Sequence, residues 1–342
     1  MSGENAQHRL RAGNKLRVVD ELRVRGPQSR AELRRATGLS RTTISTLVAE
    51  LLAQRLVTES DDHGASAGRA GGRPSKSVRL NASAGAAVSI DIGARHIAIA
   101  IGDLGQQVLA RRWTPLEYGH RAEDGLKVAV ATVEDLLTEA AVDRSRVIGA
   151  ALGLPAPISK PDGLVASSTI LPGWAGVAPA DELSRRLGIP AVVDNDANLG
   201  ALAEAVSGAG SGAGQIAYIK VASGIGAGLI QDGALFRGST GPAGEIGHTT
   251  VVEDGPFCRC GNRGCLELYA SGLALLETVQ SNAPDVDTVE KLVDRALAGD
   301  AICARAIADS GRHIGVAAAS LVNLLGPECI VVGGELSRAG DA

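Results

Sequence analysis

One His and three Cys fall within 18 residues as His248-x9-Cys258-x-Cys260-x4-Cys265. Imidazole and thiolate are the ligands zinc takes in closed four-coordinate sites, and three Cys with one His is a standard set. Two acids bracket the cluster: Glu245 stands three residues before the His, and Glu267 two after the last Cys. Gly261 and Gly264 supply the backbone freedom that tight turns in such a knuckle need. Three of the five cysteines sit in eight residues, which scattered core cysteines would not do. The other two, Cys303 and Cys329, lie in apolar runs and read as core. The spacing therefore predicts structural Zn2+ on His248, Cys258, Cys260 and Cys265. Fixing the knuckle would also fix both carboxylates.

Glu-x-Gly-His followed by Cys-x-Cys-Gly-x-x-Gly-Cys-x-Glu resembles the signature of the ROK family (repressors, open reading frames, sugar kinases). Matching blocks run from about Ser89 to Glu335. The resemblance implies an α/β, actin-like (ribonuclease-H-like, hexokinase-type) two-lobed domain. Some members are sugar kinases; others carry an added N-terminal DNA-binding domain and regulate transcription in response to sugars. Carried over motif by motif, the family's sugar site falls on Asn195, Asp196, Glu245, His248 and Glu267, with His248 serving both metal and sugar. A carboxylate suits that task because it can accept from two vicinal hydroxyls and so fix a ring's orientation. Asp196 corresponds to the kinases' catalytic base, which takes the proton of the attacking hydroxyl.

The phosphate loops depart from the kinase pattern. Kinase members resemble Asp-x-Gly-Gly-Thr-Lys at the first loop, where this chain reads Asp91-Ile-Gly-Ala-Arg95-His96. The second Gly and the Thr are replaced, the latter by bulky Arg95, where small residues let amides approach phosphate. The second loop, often Gly-Thr-Gly-x-Gly, is partly retained in Ala222–Gly228, and Ile170 stands where an Asn commonly precedes Leu-Pro-Gly-Trp. The expectation is no useful kinase activity, with Asp196 a vestigial base and no catalytic residue assigned.

The elements that must position these groups follow from composition and periodicity. At 342 residues the chain can build two or three domains. Hydrophobic residues are 45% and aromatics 2%, so small and aliphatic side chains make the core. No apolar run is long enough to span a membrane, and no apolar leader segment opens the chain. Clustered Cys without a leader points to metal in the reducing cytoplasm. Residues 1–80 hold 15 Lys and Arg against 8 Asp and Glu, a net +7, while the remainder is −11. A basic segment on an acidic body fits a nucleic-acid-binding module.

Within that segment, residues 8–25 read as a helix with Leu16, Val19 and Leu22 inward. Ser29-Arg-Ala-Glu32 is a capping box. Ser40 caps a further helix with an Ile44, Leu47, Val48, Leu51 stripe. The opposite face offers Arg41, Thr42, Ser45 and Thr46 near the helix start, where a helix-turn-helix presents base contacts to the major groove. Leu56–Thr58 and Ser77–Leu80 read as wing strands. Between them Gly68–Lys76 carries Arg69, Arg73 and Lys76, and an Arg held by Gly and Pro suits a narrow minor groove. The segment resembles the winged helix of MarR-like and ROK-type regulators.

Beyond it, Val88–Ile92, Ile97–Ile101, Gln107–Ala110, Val147–Leu154, Ala191–Val193, Ile216–Val221 and Cys329–Gly334 read as strands, with helices over 122–141 and 199–206. This alternation implies α/β layers. The domains expected are 1–81, a winged helix-turn-helix, and 82–342, a sugar-binding actin-like domain whose C-terminal part is incomplete beside the family. The reading is a cytoplasmic, sugar-responsive transcription regulator, a repressor, acting as a homodimer or higher oligomer. Its partners are an operator duplex and a sugar or sugar-phosphate effector, with no membrane. The effector would shift the population toward one closure angle and so reset the spacing of two DNA-binding heads. An ATP-dependent hexose kinase with an appended head is the enzyme alternative. A zinc-containing interaction protein without a small ligand is the third.

Overall fold

The computed structural model describes residues 2–60, 76–160, 162–166 and 170–340, with side chains from residue 10. The chain divides into two compact units: Met1–Ser89 with Ala100–Arg112 and Thr132–Ala150, and Ile90–Ile99 with Trp113–Ala131 and Ala151–Ala342.

The first unit begins with helix α1 (Ser2–Arg25), strand β1 (Gln28–Ser29), α2 (Arg30–Thr37) and α3 (Arg41–Ala53), then β2 (Val57–Ser60) and β3 (Ser77–Leu80). The capping box is formed: Glu32 N donates to Ser29 Oγ at 3.3 Å, and Ser29 N donates to Glu32 Oε2 at 2.7 Å. Gly38 closes α2 in the left-handed region at φ 68°. Ser40 caps α3, its Oγ accepting from Thr43 N at 3.1 Å. Ile44, Leu47, Val48 and Leu51 face inward as their spacing predicts, onto Leu33, Val57 and Val78. On α1 the inward face differs from expectation. Val18 is fully buried and Leu22 nearly so, while Leu16 is 69% exposed. Leu22 and Val18 are four apart and share a face; Leu16 lies about 160° from Val18 and about 120° from Leu22 around the helix. The small strand β1, unread in the sequence, pairs antiparallel with β3, which pairs with β2, giving the order β1-β3-β2. Arg69 and Arg73, expected in the wing, lie outside the described residues.

A five-stranded sheet follows, from β4 (Ala86–Ile92), β5 (His96–Asp103), β6 (Val108–Pro115), β7 (Val147–Leu154) and β8 (Ala191–Asn195), in the order β6-β5-β4-β7-β8. Helices α4 (Ala122–Glu139), α5 (Pro179–Leu187) and α6 (Asp196–Ser207) are interleaved. The second sheet has the order β11-β10-β9-β12, from β9 (Ile216–Val221), β10 (Ile225–Gln231), β11 (Ala234–Phe236) and β12 (Cys329–Gly333). Strands β9, β10 and β11 pair antiparallel, and β12 runs parallel to β9. Between β11 and β12 come α7 (Glu267–Ala270), α8 (Gly272–Val279), α9 (Val289–Leu297) and α10 (Ala301–Leu325).

Strand β9 shows why its sequence is continuously apolar. Ile216 and Tyr218 pack against Ala197 and Ala201 of α6. Ala217, Ile219 and Val221 pack on the other side with Leu275, Leu292 and Cys303 of α8–α10. Both faces are covered, so alternation disappears. The Gly-rich run Ala222–Gly228, expected as a phosphate loop, is a loop only to Gly224; from Ile225 it is strand β10. Its Gly228 is a packing residue. A Cβ there would meet Ala197 O at 2.3 Å and Ala201 Cβ at 2.5 Å.

Val18→Ala should destabilise the first unit by about 2 kcal/mol, through lost burial and the cavity left behind. Leu16→Ala should change stability little. Urea unfolding followed by circular dichroism checks both, and equal effects would refute the assigned face.

Candidate metal centre and ligand cavity

The four predicted ligands converge. The coordinating atoms of His248, Cys258, Cys260 and Cys265 all lie within 4.8 Å of one another. Cys258 Sγ stands 3.7 Å from His248 Nδ1, and Cys260 Sγ 3.6 Å from Cys265 Sγ. Ligands at zinc's bond lengths stand about 3.6–3.8 Å apart at the corners of a tetrahedron. The residues thus fit a tetrahedral ion of that size. Burial, with the hydrogen bonds and charges of Cys258 and Cys260, pushes the Cys265 thiol up to about 12. A cation bound there would let a coordinating thiol ionise outright.

The knuckle's backbone brings them there. Cys258 N donates to Asn262 O at 2.7 Å, and Gly264 N to Pro256 O at 2.9 Å. Gly264 has φ +58°, and a Cβ on it would sit 1.6 Å from Val252 O, so no other residue fits. Cys303 is fully buried and Cys329 half-buried, away from the cluster, as their apolar surroundings imply.

Beside the cluster is a cavity of about 370 Å³, lined by Asn195, Asp196, Glu245, His248 and Glu267. All five residues carried over from the family's sugar site therefore share one space. Its volume is in the range of small-molecule pockets. His248 turns Nδ1 to Cys258 and also lines the cavity. Asn195 caps α6, its Oδ1 accepting from Ala197 N at 2.9 Å, which places Asp196 in the first turn. Just before them, Asp194 is buried and grips the segment. It accepts from Asn198 Nδ2 at 2.7 Å and from Arg237 Nη2 at 2.6 Å and Nε at 2.7 Å.

Two cations unread in the sequence also line this space. Lys220 Nζ donates to Asp196 Oδ2 at 2.7 Å, and Arg259 Nη2 to Glu267 Oε1 at 2.9 Å. Glu267 presses against Gly224, where a Cβ would lie 2.8 Å from Oε2. Glu245 has no such partner among the described contacts. Burial, then the charges of Glu267 and Asp196, pushes its carboxyl up to about 7. Ile170 lines the cavity as its motif position implies. Arg95 does not: its guanidinium lies over the Tyr118 ring, 5.0 Å from the centroid. His96 takes the inward place, with Nε2 3.1 Å from Asp91 Oδ2. The sequence reading put Arg95 in the phosphate path. The alternation of β5 with its preceding turn sends it outward instead.

On the first unit, Arg41, Thr42 and Thr46 are exposed on α3 and Ser45 is half-buried. A concavity beside them is lined by Arg30, Arg34, Arg41, Ser45, Glu59 and Lys76. Arg30 and Arg34 were not singled out in the sequence. Their i, i+4 spacing on α2 was the available signal. Arg30 is held by Glu59 at 2.7 Å.

Comparison with known proteins gives two family matches, the ROK family over residues 87–342 and the MarR family over residues 12–66. A xylose repressor of Caldicellulosiruptor bescii is 30% identical over 97% of this chain and 85% of its own length. A solved ROK-family transcriptional regulator, a homologue of the Escherichia coli MLC protein, superposes with TM-score 0.79 at 28% identity, over 96% of this chain and 85% of that one. A ROK-family glucokinase of Streptomyces griseus, solved with glucose and AMPPNP, has TM-score 0.68 at 28% identity, over 75% of this chain and 85% of its own.

Arg237→Met should leave Asp194 half-satisfied in its buried place. The expected loss is about 2 kcal/mol, at the low side for breaking a buried pair because the guanidinium is partly open to water. Thermal unfolding reads it, and Asp194→Asn in the Arg237→Met background should recover part of the loss.

Proposed function

The chain belongs to the ROK family, and from that premise we propose that it is a sugar-responsive, DNA-binding transcription regulator, a repressor, without useful kinase activity. The observation that carries the reading is one of extent. The relatives named as repressor and transcriptional regulator align along 97% and 96% of the chain, whereas the glucokinase aligns over 75%. The N-terminal quarter is what separates the two groups, and here it is a winged helix with a basic face. The duplex is read by Arg41, Thr42, Ser45 and Thr46 of α3, with phosphates held by Lys76, Arg30 and Arg34; Arg69 and Arg73, outside the described residues, also meet the DNA, Arg73 in a flanking minor groove. One winged helix buries too little surface for tight operator binding, so the active form is a homodimer on a pseudo-palindromic site. No described helix is long and apolar enough to cross a membrane. A cytoplasmic regulator is consistent with that.

The effector lies in the cavity, held by Asn195, Asp196, Glu245, His248 and Glu267. Four carboxylates line that space, counting Glu335, and its two cations are already paired. That balance favours an uncharged, hydroxyl-rich sugar over a sugar phosphate. Sugar binding shifts the population away from the DNA-competent form. Mobility-shift titration at fixed salt, with and without a panel of hexoses, pentoses and their phosphates, tests the reading. Arg41→Ala should cost about 1–3 kcal/mol of sequence discrimination. Asp196→Asn should abolish the sugar response while sugar-free DNA affinity stays. Sugar-dependent ATP turnover of about 1 s⁻¹ or more, lost in Asp196→Asn, would promote the kinase alternative.

We further propose that the Cys3His cluster holds Zn2+. With four protein ligands no position is open, so the ion's chemistry there is structural. It fixes His248 and the neighbouring carboxylates at the cavity edge. Protein purified without added metal should carry about one zinc per chain. Chelation should lower the melting temperature and expose three reactive thiols. Metal-free protein with unchanged melting would rule the site out.

A further inference from the structure

Lys220 is out of place in its strand. It sits between Ile219 and Val221, both essentially inaccessible, in a run that is otherwise apolar. Its side chain is 24% exposed and the carboxylate it grips 12%. A second acid, Asp91, feels the same charge. Burial works against its ionisation, and the His96 hydrogen bond first, then the charge of Lys220, hold it below its usual range. The carboxylate of Asp91 and the backbone that carries Asp196 meet at Gly153, where a Cβ would lie 3.5 Å from Asp91 Oδ1 and 3.8 Å from Asp196 Cα. The remaining oxygen of Asp91 faces His96. Acids carried on neighbouring positions of β4 and α6 call for positive charge between them. A hard divalent ion held by one or two carboxylates, with water or phosphate completing its shell, is the usual solution. Here the strand itself provides an ammonium, a compact point charge with three donors.

We propose that Lys220 is a built-in counter-ion, its ammonium standing where a divalent cation would otherwise bridge Asp91 and Asp196, so that the cavity accepts a polyol without admitting a metal–nucleotide complex. This does not rest on the regulator reading. It concerns only which cation neutralises the pair. It also assigns Asp91 a role that the altered first loop alone leaves open.

Manganese binding to the full-length, zinc-loaded chain tests it, read by the loss of the free Mn2+ electron-paramagnetic-resonance signal. The unaltered chain should show no site that depends on Asp91. Lys220→Met should gain one Mn2+ per chain, with affinity raised by about tenfold or more, and adding Asp91→Asn should remove it. Lys220→Gln guards against collapse of the first variant, since it keeps a neutral donor beside Asp196. The knuckle does not confuse the reading, because its thiolates favour zinc over manganese. Two results overturn the proposal: a Mn2+ site in the unaltered chain that Asp91→Asn abolishes, or no gained site in either folded Lys220 variant. If neither variant folds, the unaltered chain decides alone by the same Asp91→Asn comparison.

Discussion

Crowding of like charge is the constraint around which the second unit is arranged. Asp196, Glu245, Glu267 and Glu335 line one cavity of about 370 Å³, with Asp91 close behind. Carboxylates this close cannot all remain ionised unless something answers them. The structure answers three differently. Asp196 is given an ammonium, Glu267 a guanidinium, and Glu245 is left to hold its proton near neutrality. A polyol can use both kinds of group: the ionised ones accept from hydroxyls, and a protonated Glu245 can donate.

Those answers hold only if the backbone is held first. The start of α6 is pinned by Asp194, which satisfies Arg237 and Asn198 at once while Asn195 caps the helix. At the opposite wall, the knuckle delivers His248 and Glu267, with Arg259 between two of the cysteines. Sequence neighbours of the metal-type ligands thus become the cavity's own cations and anions.

Much of this was legible where the signal is local. The cysteine spacing identified the four-residue cluster. The Ser29–Glu32 pair marked a helix start to the residue, and the apolar runs at 147–154 and 216–221 are strands at those bounds. The family motifs led to five residues that do share a cavity. What escaped depends on partners distant in the chain. Lys220 looked like an interruption of an apolar strand because Asp196 and Asp91 lie on other elements. Strand β10 looked like a loop because its glycines answer α6, not a turn. The α1 stripe was misassigned at Leu16, since an amphipathic helix with a charged face offers several near-equal registers. Helix α5 went unread because its apolar residues are few, although Pro179 at its start and Gly188 at its end mark it.

The cavity's two walls differ in how they are held. Strand β9, which carries Lys220, lies between β10 and β12 and is sandwiched by α6 and α8–α10. Its amide hydrogens should exchange only when the whole unit unfolds. The knuckle carries no such ladder: isolated bridges such as Thr250 to Cys265 and Phe257 to Arg263, turn hydrogen bonds, and Val251 and Leu266 on the core hold it. The rest of its order falls to whatever its four ligands hold. With a metal on the four ligands and a sugar in the cavity, as proposed, the metal would already have met the entropic cost of ordering that part of the wall, and the two would bind cooperatively without any change of shape.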